Sequence, residues 1–133
     1  MSAVIAVGGC GGSSGSKGLT KAEWIQKADA LCAKTFPQQR RDEARNDLKD
    51  VVSLAKETLS QIRALPLPTE GATQVKSILN QEQHAIVGLS AGVSEQSIDA
   101  SAATGELQKA AQMLVAAQKA AGSFGMNVCN AGQ

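Results

Sequence analysis

The chain has 133 residues, enough for one domain, and 43% of them are apolar. It holds 22 Ala but only Trp24, Phe36 and Phe124 as aromatics, with no Tyr, a composition that favours helix and argues against an all-β sandwich. A net charge of +1 leaves no electrostatic footprint for nucleic acid, and no apolar stretch approaches the roughly 20 residues needed to span a bilayer as a helix.

The N-terminal sixteen residues read MSAVIAVGGCGGSSGS. A short apolar run, Ala3 to Val7, gives way to small residues and Cys10, followed by a Gly/Ser stretch with the composition of a flexible tether. Val7-Gly8-Gly9-Cys10 resembles the lipobox of bacterial lipoproteins. The resemblance implies cleavage before Cys10 and lipid attachment to its sulfur. It makes residues 1–9 part of a lipoprotein signal peptide, 10–18 a tether and 19–133 a helical domain. No Lys or Arg precedes Cys10, whereas secretory signals carry a basic start. The alternative is a Gly/Ser-rich tail that contains a Cys.

Thr20 opens the first helical stretch. Glu23 stands three residues on, at capping-box spacing, and Leu19 and Trp24 occupy staple positions. Positions 24, 25, 28, 31 and 32 form one apolar face, and Pro37 is expected to end or kink the helix. A second stretch, about 38–64, carries the stripe Ala44, Leu48, Val51, Val52, Ala55, Leu59 and Ile62. Its leading block, Arg40 to Asp47, interleaves both signs and reads as a solvated face with local pairs such as Asp42 to Arg45.

Leu65-Pro66-Leu67-Pro68 cannot be helix interior and forms a stiff connector. After it, Pro68, Thr69 and Glu70 signal a third start, with the stripe Val75, Ile78, Leu79, Ala85, Ile86, Leu89 and Val93, weakened by Gly88 and Gly92. Residues 94–100 read as a turn. The fourth stretch, about 101–121, turns Ala103, Leu107, Ala110, Ala111, Leu114, Ala117 and Ala121 inward, with Gly122 as its stop. Short connections make these neighbours antiparallel. The expected fold is an all-α, up-down four-helix bundle, with three helices as the alternative if the first two merge across Pro37.

Of three cysteines, a lipid on Cys10 leaves Cys32 and Cys129, which an oxidising compartment would let pair across 97 residues. The alternative is two buried thiols. The segment Lys21 to Cys32, with its Trp, Ala-Asp pair and Cys on one helix, resembles the start of small secreted or lipid-anchored actinobacterial proteins. Arg63 to Pro68 matches their leucine-proline connector, and Gly125-Met126-Asn127-Val128-Cys129 their terminal Gly-apolar-x-x-Cys segment. The resemblance implies a helical domain closed by a Cys32–Cys129 disulfide, and carries no assigned activity.

No catalytic constellation emerges. His84, the only histidine, has Asn80, Gln81, Val87 and Gly88 at helical-neighbour spacing, none a carboxylate or strong metal ligand. Glu82 and Glu106 are not spaced as an acid–base pair. The Gly residues near Lys17 lack a phosphate-loop frame, and Met113 and Met126 are too few for a copper cluster. The expectation is therefore no enzyme, no cofactor and no metal. It is a lipid-anchored helical interaction module at the outer face of the membrane (or a secreted one) that meets a cell-envelope protein and no nucleic acid. A carrier or sensor of a small apolar ligand is the alternative. Inward alanines, which fill space without a large cavity, favour the first.

Overall fold

The computed structural model describes residues 18–130. Cys10 and the signal and tether segments around it lie outside the described residues, apart from Gly18. Four helices follow in order: α1, Lys21–Ala44; α2, Leu48–Arg63; α3, Ala72–Glu95; α4, Ala100–Phe124. They form an all-α four-helix bundle closed by a Cys32–Cys129 disulfide.

The start of α1 is built as its sequence dictates. Thr20 Oγ1 accepts from the Glu23 N–H (3.2 Å), and Glu23 Oε2 accepts from the Thr20 N–H (2.8 Å), a complete capping box. Trp24, Ala28 and Cys32 are buried from its apolar face.

Pro37 does not end this helix. The chain stays helical through Pro37 to Ala44, so the block expected to open the second helix instead closes the first. An internal Pro costs one backbone bond and some strain. Phe36, just before the proline, packs against the core, and continuing the helix sets Asp42, only 2% exposed, between the side chains of Gln38 and Arg45. The Asp42–Arg45 pair is present, but on a buried acid rather than a solvated face. The break comes at Asn46, whose φ of 57° turns the chain before Asp47 caps α2.

The connector leaves α2 at Arg63 and runs beside the entry to α1, where the Thr69 N–H donates to the Leu19 carbonyl (2.8 Å). The start of α3 lies later than the Pro-Thr-Glu signal suggests. Gly71, at φ 80°, caps it, and a Cβ there would meet the Phe124 ring at 2.6 Å.

α3 continues past Gly88 and Gly92 to Glu95. They are where α4 approaches. A Cβ at Gly92 would lie 2.7 Å from the Leu107 side chain, and one at Gly88 would lie 3.0 Å from the Ala110 Cβ. Ala103, Ala110, Ala117 and Ala121 are fully or almost fully buried in the same helix, so the small residues pack α4 tightly against α3. Ala111, read as inward, is exposed. Nor does Gly122 stop α4: the helix continues to Phe124 and ends at Gly125, with φ 111°.

Each helix packs on the next in sequence, but no Cα of α1 comes within 8 Å of a Cα of α4. The fourth side of the bundle is bridged by side chains at one end only. There the Trp24 and Phe124 rings meet edge-on at 6.0 Å, and the C-terminal segment crosses to the disulfide.

Candidate functional site: a groove above the disulfide

The crossing is held by more than sulfur. Asp29, three residues before Cys32 on α1, accepts backbone N–H bonds from Asn127, Val128 and Cys129, each at 3.0 Å. Three amides that continue no helix thus find one carboxylate. Sequence reasoning noticed Asp29 only as part of a resemblance. Its spacing to Cys32 is a signal in hindsight, because it puts both groups beside the same returning segment. Met126, 1% exposed, packs under this crossing. Asp29→Ala should strip three donors of their acceptor and lower unfolding free energy by about 2–3 kcal/mol in urea titrations. Asp29→Asn, which keeps one acceptor oxygen, should lose less.

Beyond the disulfide, the gap between α1 and α4 opens as a groove of about 280 Å³ floored by α2 and α3. On its α1 side stand Thr35, Phe36, Gln39 and Glu43. Leu48, Val51, Val52, Ala55, Leu59 and Ile62 of α2 supply one apolar wall, and Ile86 and Leu89 of α3 continue it. Leu114 and Gln118 come from α4, and the Cys32–Cys129 disulfide marks one end. The expectation that inward alanines leave no sizeable cavity is thereby corrected. The alanines of α4 fill the α3 interface, whereas larger residues of α1 and α2 face α4 across an unfilled gap.

Glu82 is the group that sequence reading passed over. It follows Leu79 by three residues and precedes Ile86 by four, so it sits on the apolar stripe of α3, and it lines the groove. Glu82 is half-buried; the partial loss of solvent pushes its carboxyl up to about 7, and the positive charge of Arg63 pulls only partly the other way. Arg63 is engaged elsewhere: its Nη2 donates to the Leu79 carbonyl (2.9 Å) and to Asn80 Oδ1 (3.1 Å). No hydrogen bond contributes to the Glu82 shift.

His84 is exposed on α3. No cluster of three or more His, Cys, Asp or Glu suited to a metal ion occurs among the described residues. No described helix is long and apolar enough to cross a membrane. Comparisons with protein-family models, curated proteins and solved structures give no match for this chain.

Proposed function

We propose that this chain is a non-catalytic binding module held at the outer face of the cell membrane by a lipid on Cys10, and that its groove takes a small, largely apolar ligand. The observation that carries the second part is the 280 Å³ groove walled by Leu59, Ile62, Ile86 and their neighbours. This volume is nearly twice that of an apolar protein cavity, about 150 Å³, that binds benzene. Helical bundles commonly build ligand sites between facing helices. The groove therefore moves the carrier or sensor reading ahead of a purely protein-docking one.

The anchoring part rests on the Val7-Gly8-Gly9-Cys10 segment, the Gly/Ser run behind it and the evenly paired cysteines that remain. When secreted with a complete signal in a bacterial host, the protein should partition into detergent phase. Cys10→Ser should move it to the aqueous phase. Aqueous behaviour of both forms would remove the anchor.

Ligand binding is tested with naphthalene, an uncharged apolar probe. At about ten times Kd it should add about 1.4 kcal/mol to unfolding free energy. Amide shift changes should gather at Ala55, Leu59 and Ile86. Ala55→Trp places an indole in the groove and should abolish the effect. The absence of any thermal or spectral response would refute the reading.

A further inference from the structure

The groove's polar groups are strongly biased towards accepting hydrogen bonds. Thr35 Oγ1 already donates to the carbonyls of Leu31 (3.3 Å) and Cys32 (3.2 Å), and Thr58 Oγ1 donates to that of Leu54 (2.8 Å). Their hydroxyls have only lone pairs left to offer. Gln39 Nε2 donates to Glu43 Oε1 at 3.0 Å. Among the described residues, the charged ones lining the groove are Glu43 and Glu82, and no Lys, Arg or His lines it. Gln118 adds an amide that can both donate and accept. Such a lining disfavours a carboxylate or phosphate and suits an apolar body with a donating, positively charged end.

Resting on the groove-binding reading, we propose that the ligand class is a small apolar amine, whose protonated nitrogen pairs with Glu82 while its hydrocarbon part lies against Leu59, Ile62 and Ile86. Glu82 is the specificity-determining residue of the groove. Half-buried Glu82 shares a mostly apolar groove, and the nearby Arg63 guanidinium is hydrogen-bonded to Leu79 and Asn80 instead. An ammonium group supplies a partner of opposite charge.

The proton balance follows. Burial holds the empty groove's Glu82 carboxyl near 7, so near neutrality it is partly protonated. Binding of R–NH3⁺ then draws the proton from Glu82 to solvent and leaves an ammonium–carboxylate pair. The one other charge bearing on the group is Arg63 on α2; Glu43 on α1 also lines the groove, and α4 contributes only the uncharged Leu114 and Gln118 to it among the described residues. Amine affinity should therefore fall by up to about tenfold per pH unit below about 7, until only apolar contact remains.

A matched series isolates the nitrogen: octylammonium, 1-octanol and octanoate, each below its aggregation limit, titrated calorimetrically into the disulfide-intact protein at pH 8. Octylammonium should bind at least about tenfold tighter than octanol, with octanoate weakest. Glu82→Gln should erase the amine preference while leaving octanol affinity within about threefold, which also shows that the variant is folded. Equal affinities for octylammonium and octanol, or an amine preference that survives in Glu82→Gln, would overturn the proposal while octanol binding still upheld the groove. Failure of all three compounds to bind would overturn the groove reading and this inference with it.

Discussion

Replacing either Cys32 or Cys129 by Ala should lower the unfolding free energy by about 2–5 kcal/mol, a large part of what a domain of this size possesses. The bridge spans 97 residues and joins α1 to the segment after α4, on the side of the bundle where the two helix backbones stay apart. Closing a loop of about 100 residues restricts the unfolded chain by about 4.7 kcal/mol in the chain-entropy model. In the folded chain both sulfurs are buried, at 5% and 6% residue exposure, and the Cα atoms are 5.2 Å apart. The double mutant should cost little more than either single mutant, because each breaks the same bond. Urea titrations of the four proteins check this. Additive losses would show two independent side-chain effects. The Asp29 carboxylate, anchored to the same segment, should then carry more of the load, so Asp29→Ala should cost more without the disulfide than with it.

The second large effect is a dependence of stability on pH through Glu82. Below pH 4.5 the carboxyl is protonated in both the folded and the unfolded chain. As pH rises from 4.5 to about 7, the unfolded chain releases its proton and the folded chain keeps it. This group's stabilising contribution is therefore present at low pH and is lost across that window. The loss totals roughly 3 kcal/mol, at about 1.4 kcal/mol per pH unit, and is complete above about pH 7. Glu82→Gln removes the charge and keeps the shape. It should leave stability at pH 4 nearly unchanged, raise it by up to roughly 3 kcal/mol at pH 8, and flatten the profile between. Unfolding titrations at half-unit steps from pH 4 to 8 measure the difference. A variant no more stable than the parent at pH 8 would contradict a carboxylate buried at cost.

Much of the architecture was legible in residue order. Thr20 and Glu23 announce the start of α1, and the Leu-Pro-Leu-Pro connector separates two helical hairpins. The stripe through Val75, Ile78, Leu79 and Ile86 names the buried face of α3. These signals are local: they depend on side-chain spacing along one helix and on backbone groups within a turn. Where local signals competed, the sequence misled. Pro37 and Gly122 each suggested a stop, but both helices run past them, to the buried Asp42 and the buried Phe124.

By itself, then, the chain's sequence determined an all-helical domain, four amphipathic faces and the two cysteines available to close it. Periodicity tells which residues turn inward, and it is indifferent to how far apart the inward faces finally stand. That spacing was decided in the tertiary structure. Glycine and alanine draw α3 and α4 together, whereas α1 and α4 meet at one end, where Lys21 and Trp24 reach Phe124 and the C-terminal segment returns. The groove is the volume left by that inequality. The high pKa of Glu82 has the same origin, since a carboxyl is desolvated only by neighbours that other parts of the chain bring to it.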